Sequence, residues 1–225
     1  MLSRMPAGVD VILVDDGSTD KTAEVCRSYG GRVIKHPVNL GQGAAIITGF
    51  RACLLHEYDV IIELDGDGQH DPADIPRFVD TMKSTGVDIV VGSRILGSNY
   101  DGAPYARRTV LPYLTWLINR ITGYELTDSM CGFRAFRTSS LRSIAHVLTE
   151  MQEPQYIAAE MFIRFSRAGL SVIEIPIDLS DRGTGLSYKG FVRYGWGISR
   201  AIPVSYTHLR AHETEADLVC RLLLE

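Results

Sequence analysis

Asp59-Val60-Ile61-Ile62-Glu63-Leu64-Asp65-Gly66-Asp67-Gly68-Gln69-His70 is the stretch on which the reading of this chain turns. Its first half, Asp59 to Leu64, is a short apolar run, the pattern of a strand buried on both faces in a parallel sheet. Its second half sets two carboxylates around one glycine at the strand's carboxyl end. Two unpaired anions so close repel each other and would raise one pKa, so the arrangement favours a bound divalent cation. Oxygen donors without cysteine select a hard ion, Mg2+ or Mn2+, which takes one or two carboxylates and completes its shell with water and phosphate oxygens. Asp67 and Gln69 are the expected ligands, with Asp65 contacting metal or ribose. An acidic turn that merely follows a strand is the alternative. The buried strand before it and polar Gln69-His70 after it favour the metal.

Upstream, Val9 to Val14 is a second apolar run, ending in Asp15-Asp16-Gly17-Ser18. A carboxylate at a strand end beside a helix N-terminus can accept hydrogen bonds from a base or ribose, and helix capping by Ser18 and Asp20 is the rival use of that turn. The helix is expected to run to about Tyr29, followed by a strand from Arg32 to Lys35. Asn39 to Gly43 is a glycine-rich turn opening a helix through about Leu55. It lacks the lysine of a P-loop and the spacing of a dinucleotide fingerprint, so its glycines read more naturally as close helix-on-sheet packing than as a phosphate cradle. Downstream, Asp71-Pro72 starts a helix, with proline at the favoured first position. Val87 to Val91 is another strand, before Gly92-Ser93-Arg94. Strands alternating with helices predict a doubly wound, mostly parallel α/β sheet with helices on both faces, whose ligands lie beyond the strands' carboxyl ends. In the second half, Thr109 to Thr122 and Tyr156 to Ala168 read as helices and Ser171 to Ile177 as a strand. Arg182 to Gly190 reads as a glycine-rich loop.

The 225 residues suffice for one such domain. A hydrophobic content of 45% and a net charge of -4 describe a globular protein with no basic footprint for nucleic acid. Cys26, Cys53, Cys131 and Cys220 form no C-x-x-C pair, which fits a reducing compartment. There is no signal-peptide pattern, and no run reaches the roughly 18 apolar residues of a membrane span. Residues 204–225 resemble translated adapter sequence and are expected to be a non-native tail, leaving 1–203 as the domain.

Six motifs follow one another: Asp15-Asp16-Gly17-Ser18, Asn39-x-Gly41-x-Gly43, Asp65-x-Asp67-x-Gln69-His70, Gly92-Ser93-Arg94, Cys131-Gly132-Phe133-Arg134 and Arg182-x3-Leu186-Ser187. In this order they resemble glycosyltransferase family 2, and within it the branch of dolichol- and polyprenol-phosphate mannosyl- or glucosyltransferases. The resemblance runs from about Val9 to Ile202. It implies a GT-A fold, a GDP- or UDP-linked sugar donor, a divalent metal and inversion at the anomeric carbon. It makes Asp15 the nucleotide-contacting acid, with Asp16 beside it. Asp65, Asp67 and Gln69 become the metal and diphosphate cluster. Arg94, Arg134, Arg182 and Ser187 match positions that meet donor or acceptor phosphates. The family's opening strand, ending in Pro-x-Tyr-Asn-Glu, is not found before Val9. A chain lacking that central strand is expected to be less stable and to bind nucleotide poorly.

The chemistry agrees with the resemblance. A metal and a preorganised arginine can neutralise a departing diphosphate, which gives Asp67 and Arg94 catalytic roles. A lipid phosphate acceptor is already largely anionic near neutral pH and needs no strong base. A hydroxyl acceptor would need one, and Asp128 and Glu160 are the candidates, with structural hydrogen bonding as their alternative use. The helix from Thr109 carries Leu111, Leu114, Trp116 and Leu117 with Arg107, Arg108 and Arg120. It either packs on the core or lies peripherally on a cytoplasmic membrane face, to receive a lipid acceptor. His36, His56 and His146 read as structural, and Met161 and Phe162 as core. A phosphohydrolase with Asp65 as nucleophile is a rival, but it would want threonine or valine where Gln69 stands. A nucleotidyltransferase lacks its basic glycine loop here, and a catalytically silent binding module stays open.

Overall fold

The apolar runs read from the sequence become strands, and each ends beside the acidic or glycine residues that follow it. The computed structural model describes residues 1–98, 105–151 and 157–179, with only the backbone described at 105–107, 149 and 150. Strand β1 (Ile12–Asp15) pairs in parallel with β2 (Arg32–Lys35), Val14 lying opposite Ile34. Helix α1 (Thr22–Ser28) joins them. It starts after Asp20, whose side chain accepts from Thr22 N at 2.9 Å. Helix α2 (Gln42–Leu54) leads to β3 (Val60–Glu63).

Asp71 caps a 3-10 turn, Pro72–Asp74, by accepting from Ala73 N at 3.0 Å. The turn feeds α3 (Ile75–Thr85), and Gly86 closes that helix at φ 75°, the left-handed conformation that suits glycine. Strand β4 (Ile89–Ser93) follows, reaching into the Gly92-Ser93 motif. Helix α4 (Tyr105–Thr122) comes next, starting four residues ahead of its expected Thr109. Then come β5 (Arg134–Arg137), two short helices α5 (Thr138–Ser143) and α6 (Ala145–Glu150), α7 (Ile157–Arg167) and β6 (Val172–Pro176).

Strand β5 is the departure from the sequence expectation. It inserts between β3 and β4, antiparallel to both, while β6 pairs in parallel with β4, giving the order β3-β5-β4-β6. A four-residue Arg-Ala-Phe-Arg segment carries no periodicity that marks a strand. Its pairing comes from partners about 45 to 75 positions away in the chain. Among the described residues the strands form two sheets, β1-β2 and the four-stranded one. Strands β1 and β3 are terminal in their sheets and mostly half-buried, whereas all five positions of β4 are buried. Helix α2 packs on both β1 and β3 and spans the division.

The core lies on the larger sheet. Phe133 stacks on Phe78 with ring centroids 4.1 Å apart, and Phe136 meets Phe50 at 5.0 Å and Phe165 at 6.1 Å. Met161 and Phe162 are fully buried there, as expected. Helix α4 packs on the core through Leu111, Leu114 and Ile118, while Tyr113 and Trp116 are exposed and stacked on each other. Among the described residues no helix is long and apolar enough to cross a membrane.

Candidate active site

Parallel strands deliver their functional groups just beyond their carboxyl ends, and three strand ends do so here. At the end of β1, Asp15 is buried. One of its oxygens accepts from Ser18 N at 2.7 Å, while Oδ2 is buried without a hydrogen-bond partner, with Lys35 Nζ 3.6 Å away. The hydrogen bonds from Ser18, and then Lys35, hold the Asp15 carboxyl below the usual range against the opposing effect of burial. The remaining oxygen is an acceptor in want of a donor, which suits a ribose hydroxyl or a base N–H.

Asp16 is different. Its Oδ1 accepts from Leu40 N and faces His36 Nδ1, both at 2.8 Å, and its Oδ2 accepts from Gly41 N at 2.8 Å. His36 is held from its other nitrogen by Thr48 Oγ1 at 3.0 Å. Burial works against the Asp16 charge, but these partners leave its carboxyl below the usual range. Both oxygens of Asp16, expected to contact substrate, tie the Asn39–Gly43 turn to the end of β1. Gly17 shows how close that approach is, since a Cβ there would stand 2.8 Å from Asn39 N, at φ 80°.

At the end of β3, Asp65, Asp67 and Gln69 are half-buried. Asp65 Oδ1 lies 3.5 Å from Gln42 Nε2, and its Oδ2 lies 3.9 Å from His70 Nε2. Asp67 Oδ1 accepts from Gln69 N at 3.0 Å, which shapes the turn. His70 is buried against the Phe133 ring, and its Nδ1 has no hydrogen-bond partner. Burial pushes its pKa down and Arg94 adds to this, while Asp65, Asp67 and Asp128 pull the other way. Among the described residues no three His, Cys, Asp or Glu side chains converge as a closed metal cluster. Two half-buried carboxylates stand two residues apart, oxygen donors of the kind a hard ion takes when phosphate oxygens complete its shell. The residues fit Mg2+ or Mn2+ bound in that way.

At the end of β4, Arg94 is clamped to the fully buried Asp128 by two parallel bonds, Nε to Oδ2 at 2.6 Å and Nη2 to Oδ1 at 2.7 Å. Arg94 N adds a third at 3.1 Å. Asp128 is in turn seated by Glu174, which accepts from Asp128 N at 2.7 Å, Thr127 N at 2.6 Å and Thr127 Oγ1 at 2.7 Å. Burial raises the Glu174 pKa, and these donors oppose the rise. Sequence reasoning missed Glu174, although a lone carboxylate in the apolar run Val172–Pro176 was its signal.

Arg134 lies inside the sheet. It was expected to meet a phosphate, but it is 2% exposed and its Nη1 lies 3.1 and 3.2 Å from the two oxygens of Glu63. Antiparallel pairing sets these residues directly opposite each other, so the arginine neutralises a buried acid inside the sheet. Glu160, in the first turn of α7, is buried and pairs with Arg164 Nε at 2.8 Å. Arg182, Ser187 and the segment 204–225 lie outside the described residues.

The profile of "Glycosyl transferase family 2" matches residues 2–145. The chain belongs to glycosyltransferase family 2. The chain is 33% identical over 186 residues to an undecaprenyl-phosphate mannosyltransferase of Micrococcus luteus, covering 79% of this chain and 74% of that one. It is 32% identical over 188 residues to a polyprenol monophosphomannose synthase of Mycolicibacterium smegmatis, covering 80% and 69%. Among solved structures it resembles glucosyl-3-phosphoglycerate synthase of Mycobacterium tuberculosis in complex with Mn2+, UDP and glucosyl-3-phosphoglycerate. That match has a TM-score of 0.64 at 19% identity and covers 91% of this chain and 72% of the other. It establishes the GT-A fold.

Proposed function

We propose that this protein transfers a hexose, with inversion, from a nucleoside-diphospho-sugar to a polyprenyl or dolichyl phosphate. The observation that carries the reading is that two strands of a family 2 chain end in acidic residues. Asp15 retains a buried acceptor oxygen at one end, and the half-buried Asp65 and Asp67 follow the other. The relatives named for undecaprenyl and polyprenol phosphates support the acceptor class.

In this reading Asp15 would accept a hydrogen bond from the nucleoside, and Asp65, Asp67 and Gln69 would hold Mg2+ or Mn2+. The ion supplies charge neutralisation for the leaving diphosphate. Arg94, held in orientation by Asp128, adds positive charge at the same edge. An acceptor phosphate oxygen forms a bond to the anomeric carbon as the bond to the nucleoside diphosphate breaks on the opposite face. A phosphate acceptor needs no proton removed. This agrees with a site where Asp128 is engaged through both oxygens and Glu160 is paired with Arg164. Arg182 and Ser187 are proposed, from the motif alone, to meet phosphate. The reading places the protein peripherally at the cytoplasmic membrane face. The exposed, stacked Tyr113 and Trp116 of α4, with exposed Arg120 one turn beyond Trp116, support it.

Incubation with labelled UDP- or GDP-sugars, Mg2+ or Mn2+ and a polyprenyl phosphate tests the reading. The expected result is label in the organic-extractable lipid, lost in Asp67→Asn without a change in melting temperature. Transfer only to a hydroxyl acceptor, release of inorganic phosphate, or binding without turnover would each overturn it.

A further inference from the structure

The stretch Cys131-Gly132-Phe133-Arg134 leads into β5, and Arg134 is its first residue in the β3–β5 ladder. The register pairs Val60 with Arg137 and Glu63 with Arg134, so continuing it by two residues sets Gly132 opposite Asp65. On one face of an antiparallel pair, opposed side chains lie within contact distance. Here one member of the pair has no side chain. A Cβ built on Gly132 would stand 2.2 Å from Asp65 Oδ2, 2.6 Å from its Cγ and 2.9 Å from its Oδ1. The Asp65 carboxylate therefore lies in the space that any other residue at position 132 would fill. Gln42 Nε2 lies 3.5 Å from Oδ1, and the buried His70 Nε2 lies 3.9 Å from Oδ2. Gly132 does not have a positive φ, so the demand here is for space rather than for backbone conformation.

We propose that Gly132 is a positioning residue for the donor site, because its missing side chain forms the seat that holds Asp65 in place for the metal and diphosphate. The inference rests on the proposed metal role of Asp65 and deepens it. A methyl group at position 132 pushes the carboxylate off its seat. The carboxylate ends a short side chain and can rotate away, so the fold survives while the metal site is spoiled. Disturbing a residue that orients a metal ligand weakens binding by about 10- to 100-fold.

The test is Mn2+ binding measured by the electron paramagnetic resonance of free Mn2+ in the presence of UDP, on the parent chain, Gly132→Ala and Asp67→Asn. The expected result is Mn2+ binding by the parent, loss in Asp67→Asn, and at least a tenfold weaker affinity in Gly132→Ala with cooperative melting retained. Parent-like affinity in Gly132→Ala, with binding lost in Asp67→Asn, overturns the inference and leaves the proposed function standing. Absence of Mn2+ binding by the folded parent overturns both. If Gly132→Ala does not fold, the double variant Gly132→Ala/Asp65→Ala decides, because removing the carboxylate removes the clash. Recovery of folding in the double variant supports the inference, and failure of the double variant to fold overturns it.

Discussion

Arg134→Met is the substitution that separates the buried ion pair from the phosphate contact expected for this arginine. In the parent, Arg134 Nη1 serves both oxygens of Glu63, Nη2 donates to Ser129 O at 3.3 Å, and the guanidinium carbon lies 5.4 Å from the Phe162 ring centroid. Methionine keeps most of the packing volume but leaves Glu63 without its counter-charge, in a side chain only 10% exposed. Removing one partner of a buried pair costs about 3–5 kcal/mol. At roughly 2–4 °C per kcal/mol for a domain of this size, the melting temperature should fall by about 6–20 °C.

The loss should also depend on pH. Burial already raises the Glu63 carboxyl above its usual value, and the Arg134 charge is the main influence opposing that rise. Without Arg134 the folded-state pKa climbs further above the unfolded value of about 4.3. A raised carboxyl contributes stability that is fully present below the unfolded pKa and is lost as pH rises through the folded one. The deficit of Arg134→Met should therefore shrink as pH falls from 8 towards 5, and Glu63→Gln added to it should recover much of the lost stability. Circular-dichroism melts of the four chains at several pH values give the full cycle. Melting of Arg134→Met within about 2 °C of the parent, combined with a raised donor KM, would refute the reasoning and return Arg134 to the phosphate.

The remaining predictions use the same kind of measurement. Asp16→Ala should lose about 1.5–3 kcal/mol in urea unfolding, because Leu40 N and Gly41 N lose a charged acceptor. The depressed Asp16 carboxyl contributes stability above its unfolded pKa and loses it as pH falls through the folded value, so the gap between Asp16→Ala and the parent should narrow in acid. Arg94→Ala should destabilise by about 3–5 kcal/mol through the stranded Asp128, and Arg94→Ala/Asp128→Asn should regain part of this in melting. Cys131 is fully buried and its thiol is pushed up to about 12 by burial, so iodoacetamide at pH 8 should label Cys53 well before Cys131 by peptide mass spectrometry.

Much of the site was legible along the chain, because a buried strand announces itself by composition and its end by the polar residues that stop it. Asp15, Asp65, Asp67 and Arg94 all stand at or just past such ends. What the linear pattern did not separate were neighbours of like chemistry. Asp15 and Asp16 are adjacent carboxylates, yet one keeps an unpartnered oxygen and the other is consumed by Leu40, Gly41 and His36, residues 20 to 25 positions away. His36 could be read as structural, but nothing in its spacing named Asp16 as its partner.

The sequence by itself determined the alternation of strand and helix, the carboxylates at the strand ends and the oxygen-donor character of the acidic turn. Periodicity, turn residues and donor type are local properties that need no knowledge of what lies across the sheet. Only the tertiary structure decided that β5 enters antiparallel between β3 and β4, and from that register followed the opposition of Arg134 to Glu63 and of Gly132 to Asp65. The reason is that strand pairing joins residues about 70 positions apart, and its strength comes from burial and hydrogen bonds made on contact. A charge that looks available in sequence is available only if folding does not set its counter-charge directly opposite.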